Sequence, residues 1–384
     1  MEVGLPFLGV GPVSRNVLDA ALTAAYRWNT KIMLIPSRSQ VDAPEYGRGY
    51  TGWTTEQFAE YVRARDPRRL ALLCRDHGGP WQHPDEGLLP DEKAVMASCA
   101  ASFDHDIAAG FDILHLDTSV EPTGEAPFPA ALGRLTELYA HCSATAEATG
   151  RPLRFEIGFE VQGTDVNDPG LFEAQLDEVC DEITGRGLPL PSFAVAQTGT
   201  KVQELSNRGA FPRPATREHV TRQITAVARI CRARNLKLKA HNCDYLTPSD
   251  VAALTAAGVD AVNVAPEFGT YETRILLRLL NEIQLPKLAD RFLSLSFESG
   301  KWSKWMAPDT MATDYEKAVI AGHYVFGTPE FADIRAELEE QLARRSAVPL
   351  NEVLQSEIAL LIERYLLAGT SLWRPAPQSH LVAR

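Results

Sequence analysis

The chain has 384 residues, a formal net charge of −12 and an apolar fraction of 45%. That length accommodates a barrel of roughly 250 residues plus an extension, and that apolar content supports a sizeable core. The acidic balance excludes general nucleic-acid binding, because no basic field draws phosphates, though it leaves room for a local basic pocket.

No stretch reaches the roughly 18 apolar residues of a membrane span. The start, MEVGLPFLGVG, lacks the basic opening and long apolar run of a signal peptide, so a cytoplasmic chain is expected. Six cysteines, Cys74, Cys99, Cys142, Cys180, Cys231 and Cys243, are scattered without a C-x-x-C pair. They read as reduced, buried, small apolar groups.

In chain order, buried-strand and helix signals alternate. Leu5–Val13 is a first strand, followed by a helix over Arg15–Trp28 and a second strand over Lys31–Pro36. A polar, glycine-rich loop, SRSQVDAPEYGRGYTGW, comes next, and a loop that long is usually functional. Thr54 to Gln57 forms a capping box. The third strand is Leu70–Cys74, which breaks into Arg75-Asp76-His77 and a glycine turn. A helix over Glu92–Ala109 leads to a fourth strand, Phe111–Leu116. A helix over Pro129–Thr149 leads to a fifth, Leu153–Val161. Helix Gly170–Thr184, strand Pro191–Gln197, helix Thr216–Arg234 and strand Leu236–His241 follow. Thr247 caps another helix, with proline in its first turn, and Val259–Val264 is the eighth strand.

The phrase Ala-Ala-Gly followed by an apolar strand occurs at Ala108–Leu116 and again at Ala256–Val264, the rhythm of successive β/α units. Eight units predict an α/β fold, a (β/α)8 TIM barrel over residues 1–285, with a C-terminal helical extension over 286–384. A doubly wound open sheet is the main rival. The extension carries the run SFESGKWSKWM (Ser296 to Met306), read as a loop, and helices near Asp333–Arg345 and Leu350–Leu367.

A barrel delivers its strand ends to one face. Here those ends carry Asp76 and His77, His115 and Asp117, Glu160, Gln197, His241 and Asn242, and Glu267. Imidazoles and carboxylates converging from different strands suit a divalent metal. His77, His241 and Glu160 are the expected ligands. Asp76, Glu160 and Asp117 are the expected catalytic acids, with Asp76 moving a proton. Gln40, Asn242, Glu267, Lys301, Trp302 and Lys304 are the expected substrate contacts, lysine serving an anion and tryptophan a sugar face. His115 reads as a core or supporting histidine, and Glu156 as a buried, paired acid. No Gly-rich nucleotide loop and no G-x-S-x-G elbow is present.

Several phrases together resemble a known family. They are Ser39-Gln40-Val41-Asp42 with Gly49-Tyr50-Thr51-Gly52, Asp76-His77-Gly78-Gly79-Pro80, and Leu114-His115-Leu116-Asp117. Ile157-Gly158-Phe159-Glu160-Val161, Ala240-His241 with Asp244-Tyr245, and Gly322-His323-Tyr324 continue the series. The chain is similar to the Z-type subunit of D-tagatose-1,6-bisphosphate aldolase. The resemblance implies a class II aldolase-like barrel with a zinc-type site. It also implies either an auxiliary subunit that stabilises a separate catalytic aldolase chain or a ketose epimerase acting at carbon 4. The chain departs from the family pattern in the loop expected after the eighth strand, Ala265–Tyr271, and at SFESGKWSKWM. Glu267 there would repel a phosphate, which opens the expectation to differently decorated sugars.

The expected function is therefore a metal-dependent aldolase or retro-aldol epimerase acting on a ketose, sugar phosphate or related polyhydroxy compound. The alternatives are a non-catalytic stabilising subunit of a tagatose-bisphosphate aldolase complex and a metal-dependent sugar isomerase. The expected partners are a carbohydrate substrate and either an aldolase subunit or further copies of the chain, with no nucleic acid and no membrane.

Overall fold

The computed structural model describes residues 5–159, 163–345 and 348–370. Eight parallel strands close into a barrel: β1 (Leu8–Val10), β2 (Ile32–Leu34), β3 (Ala71–Gly78), β4 (Ile113–Asp117), β5 (Arg154–Gly158), β6 (Phe193–Val195), β7 (Lys237–Ala240) and β8 (Ala261–Val264). Each strand pairs with its sequence neighbours, and β1 closes the ring on β8 with Leu8 opposite Val262 and Val10 opposite Val264. Closure excludes the open doubly wound sheet.

Helices α1 (Arg15–Trp28), α2 (Thr55–Arg65), α3 (Glu92–Ala109), α4 (Phe128–Thr149), α5 (Pro169–Gly185), α6 (Pro214–Ala233), α7 (Pro248–Ala257) and α8 (Pro266–Glu282) alternate with the strands. Ser14 caps α1, and Thr54 with Gln57 and Thr247 with Asp250 form capping boxes. Gly110 and Gly258 end α3 and α7 in the left-handed region, at φ 81° and 110°, where a side chain would strain the turn into the next strand. Helices α9 (Pro286–Glu298), α10 (Asp314–Val325), α11 (Pro329–Ala343) and α12 (Leu350–Ala368) follow the barrel. Helix α12 lies along α1, α7 and α8. No helix of the described residues is long and apolar enough to cross a membrane.

Three expectations need correcting. Strand β3 does not stop at Cys74 but runs on through Asp76 and His77 to Gly78. The stretch after β8 is not a loop: Pro266 opens α8 directly, because proline suits a first helical turn. The SFES half of SFESGKWSKWM is the last turn of α9, and the GKWSKWM half holds a single 3-10 turn at Ser303–Trp305.

The lumen has two chemical layers. Met33, Ile35, Leu72, Cys74, Ile113, Phe193 and Ala261 form an apolar plug. Strand alternation of period two then carries the same phase upward to Asp76, His115, Glu156, Lys239 and Asn263, all at or near full burial.

One outer-layer acid has a measurable consequence. Glu272 on α8 is buried and accepts hydrogen bonds from the Ser14 hydroxyl (2.5 Å) and the Asn16 amide (2.7 Å). Burial pushes its carboxyl up to about 7 against those bonds. A raised folded-state value means that the folded chain holds the proton longer. Its contribution to stability is therefore full below about pH 4.5 and lost as pH rises through about 7. The shift corresponds to about 3 kcal/mol. Glu272→Gln is expected to match the parent near pH 4 and to exceed it by that order at pH 8, read from urea unfolding at both values.

Candidate active site

Asp76 and His77 are adjacent on β3, so a regular strand would turn them to opposite faces. The pairing of β3 with β4 shifts register between Arg75 and Gly78, and His77 takes φ 44°. That kink swings His77 into the mouth beside Asp76 and leaves Arg75 outside the barrel. His241 follows directly after β7, 164 positions further on, and its ring meets that of His77 with Nδ1 and Nε2 3.3 Å apart. His115 on β4 completes a triangle of rings, with centroids 5.3 Å from His77 and 5.0 Å from His241.

Carboxylates determine which nitrogens face each other. His77 Nδ1–H donates to Asp117 Oδ2 (2.5 Å), and Asp117 is itself held by the Ser119 hydroxyl and backbone N–H. His241 Nε2–H donates to Glu156 Oε1 (2.8 Å), while Glu156 Oε2 takes the Lys239 ammonium at 2.6 Å. Each ring is thus anchored through one nitrogen and presents the other to the gap, the arrangement by which carboxylates orient ligand histidines. Asp76 accepts from the Asn263 amide (3.0 Å) and lies 3.7 Å from His115 Nδ1. His115 Nδ1 accepts the His77 backbone N–H at 3.2 Å, and its Nε2 is buried without a partner.

The electrostatics follow from this geometry. Burial works to raise Asp76, but the surrounding imidazoles of His77, His115 and His241 hold its carboxyl far below the ordinary range. Asp117 is held low in the same way by His77 against its burial. Glu156 is brought down to about 2, burial being outweighed by Lys239 and the imidazoles. His77 rises to about 9, because Asp76, Asp117 and Glu156 outweigh the burial that would lower it. His241 goes the other way, lowered chiefly by burial.

These residues fit a divalent metal on two observations. Three ionised carboxylates, Asp76, Asp117 and Glu156, face one ammonium, Lys239, which leaves two negative charges for histidine protons or a dication to balance. The 3.3 Å between the facing nitrogens is also the separation of two tetrahedral ligands at about 2.0–2.1 Å from one zinc ion. His77, His115 and His241, or Asp76, His115, Glu156 and His241, bring their donor atoms within 4.8 Å of one another.

A cavity of about 640 Å³ opens over Asp76 and His77. Ser37, Gln40 and Tyr50 line it from the long loop after β2, and Asn242 and Asp244 from the segment after β7. Lys304, Trp305, His323 and Tyr324 line it from beyond the barrel. A smaller cavity, about 260 Å³, lies against His77, His115, Asp117, Lys201 and Asn242.

The expected site residues fall out as follows. Asp76, His77, Asp117 and His241 come together at one place, with Asn242 between the two cavities in a left-handed turn at φ 55°. Glu160 lies outside the described residues. Gln40 lines the cavity, but its amide is engaged by the Ser37 N–H and the Tyr50 hydroxyl, so it shapes the loop. Glu267 is corrected: it does not line the cavity, and its carboxylate accepts from Tyr245 N–H (2.6 Å) and the Tyr365 hydroxyl (2.5 Å) of α12. Lys301 and Trp302 are corrected too. Trp302 stacks on Phe297 with its indole N–H bonded to the Phe297 carbonyl, and neither residue lines the cavity. Lys304 does, with its ammonium 5.0 Å from the ring of Trp305.

Lys239 and Asn263 were not anticipated as site residues. The signal was their phase: Lys239 precedes His241 by two, and Asn263 sits in the eighth strand as its one amide. The model described as D-tagatose-1,6-bisphosphate aldolase subunit GatZ/KbaZ-like matches from residue 6 to residue 186.

Over those residues the chain is similar to that family. The matched part carries Asp76, His77, His115, Asp117 and Glu156; the GatZ/KbaZ-like likeness read from the sequence phrases thus has independent support. D-tagatose 6-phosphate 4-epimerase of Agrobacterium fabrum is 27% identical over 310 residues, 73% of this chain and 69% of that protein. Among solved structures, a probable tagatose 6 phosphate kinase from Sinorhizobium meliloti 1021 superposes with TM-score 0.71 at 20% identity, covering 95% of this chain and all of that one. The fructuronate-tagaturonate epimerase UxaE of Cohnella laeviribosi does so with TM-score 0.58 at 14% identity, covering 96% and 82%. The two structural likenesses speak for the shared barrel.

Proposed function

We propose that this chain is a divalent-metal enzyme that opens and re-forms a carbon–carbon bond of a ketose or ketose phosphate, working as a retro-aldol epimerase with aldolase chemistry at its core. The observation that carries the proposal is the pair of facing nitrogens of His77 and His241, 3.3 Å apart and each backed by a carboxylate, directly beside Asp76. The relative that is named a 4-epimerase supports the choice of epimerisation over cleavage.

His77 and His241 would hold the ion, zinc by the nitrogen donors, with Glu160 or His115 as the third protein ligand. Bound there, the ion would polarise the substrate carbonyl and stabilise negative charge developing on its oxygen. Asp76, kept ionised by its imidazole neighbours, takes the proton from the hydroxyl two carbons beyond the carbonyl. The bond between the carbons flanked by carbonyl and hydroxyl breaks. Its electron pair moves onto the carbonyl side as an enediolate, and the hydroxyl carbon becomes an aldehyde. Rotation of that aldehyde, attack on its other face and return of the proton from Asp76 give the epimer, with atoms and charge conserved. Asp117 and Glu156 hold the rings, and Lys239 holds Glu156.

The purified chain is expected to contain about one divalent ion and to interconvert D-tagatose 6-phosphate or an unphosphorylated ketose with its C4 epimer, followed by NMR. Absence of bound metal after loading with zinc, cobalt or manganese would sink the proposal. A second reading follows from the family description, which names an aldolase subunit. On that reading the chain alone turns over no ketose and raises the activity of a separate aldolase chain. Assays with and without such a partner separate the two.

A further inference from the structure

The opposite end of the barrel carries a second, differently built cavity of about 280 Å³. Lys31 precedes β2, Arg69 precedes β3, and Arg154 opens β5, so their side chains gather at the amino-terminal rim, away from Asp76 and His77. Arg63, near the end of α2, joins them. Gly110 takes φ 81° at the cavity edge, and a side chain there would collide with the guanidinium groups of both Arg63 and Arg151. Four cations therefore line one small hollow, with Arg151 as a fifth beside its Gly110 edge, in a chain whose formal charge is −12.

Among the described residues none of these five forms an ion pair within 4 Å, whereas Arg38, Arg75, Arg134, Arg217 and Arg234 all do. The two acids of the hollow are committed to the backbone. Asp66 accepts from Leu70 N–H (3.1 Å) and Ala71 N–H (2.7 Å), and Asp112 from Leu73 N–H (2.9 Å). Both cap strand starts, and Asp112 offsets the charge of Arg63, Arg154 and Lys31 only in part. Arg63 donates to the Ala109 carbonyl, which holds its fork at the rim. Burial and the neighbouring Arg151 and Arg69 lower its proton affinity, the mark of a positive field that an anion would relieve.

We propose that this rim cavity binds a small, multiply charged phosphate anion, of the size of phosphate or pyrophosphate. Guanidinium forks match phosphate oxygens in pairs. The volume falls just under the range of about 300–1,000 Å³ typical of drug-sized ligands, which favours a small anion over a nucleotide. The site is independent of the chemistry at the mouth. Its occupation links to stability, because an anion that binds the folded chain alone raises the melting temperature.

The test uses the full chain, with inorganic phosphate and inorganic pyrophosphate as separate probes in calorimetry and thermal unfolding at low and physiological salt. Saturable one-to-one binding of at least one probe is expected, with a melting temperature that rises with its concentration and an affinity that weakens with salt. Arg154→Met and Arg63→Met, both at exposed positions, are expected each to weaken binding by about tenfold or more. Lys304→Ala, at the mouth, is expected to leave it unchanged. No saturable binding of either probe overturns the proposal. So does binding that survives both arginine exchanges, or binding that is lost with Lys304→Ala.

Discussion

Asp76→Asn is expected to lower turnover of a responsive ketose by about 10²–10⁴-fold, the range for a lost general acid–base group. The exchange keeps size and shape, and the imidazole pair is left in place. Bound metal and melting temperature are therefore expected to stay near parental values, with the loss in kcat rather than KM. The reason lies in the neighbours. Asp76 is ionised because three imidazoles face it, and an amide cannot take a proton from a hydroxyl. His241→Ala is the contrasting variant. It removes a proposed ligand and leaves Glu156 to Lys239 alone, so metal content is expected to fall together with activity. Turnover of Asp76→Asn within tenfold of the parent would remove Asp76 from the chemistry.

Arg75→Met is expected to destabilise the chain by about 3–5 kcal/mol, measured as a shift in urea midpoint. Arg75 is fully buried, and its guanidinium holds Asp106 of α3 through two bonds, at 2.8 and 2.6 Å. The same group donates to the carbonyls of Pro36 (3.1 Å) and Val41 (2.7 Å), which ties the long loop after β2 to the barrel wall. Removing it leaves a buried carboxylate without its counter-charge and takes a donor from each of two carbonyls, of which Pro36 keeps the Asp76 N–H. Arg75→Met with Asp106→Leu is expected to recover most of the loss, because the isolated charge is gone. A single exchange that shifts stability by under 1 kcal/mol would show that the bridge is dispensable.

How far the sequence revealed all this depends on the range of the signal. The eight strands were legible because each is a short apolar run set off by a capped helix and a glycine stop, as at Gly110 and Gly258. These are local patterns. The meeting of His77 and His241 followed from the barrel rule that strand ends share a face. The kink at His77 was not legible, since a register shift depends on the neighbouring strand. Lys239 was hidden for the same reason: a lysine in an apolar strand becomes sensible only with Glu156 opposite. Glu267 and Trp302 were placed at the mouth on residue type alone. Glu267 turned instead to Tyr245 and Tyr365, and Trp302 to Phe297 and Lys317. Helix α10 was not anticipated, although His323 and Tyr324 on it close the cavity.

The hydroxyl of Tyr365 reaches the carbonyl of Cys243 (3.1 Å) as well as Glu267, so helix α12 props the turn that follows His241. A ribosome releases that helix after every strand of the barrel has emerged. The nascent chain can therefore close its ring of strands early and still lack the brace behind one imidazole. A chain that stopped short of α12 would keep all eight strands and lose the hydroxyl that steadies the backbone next to His241.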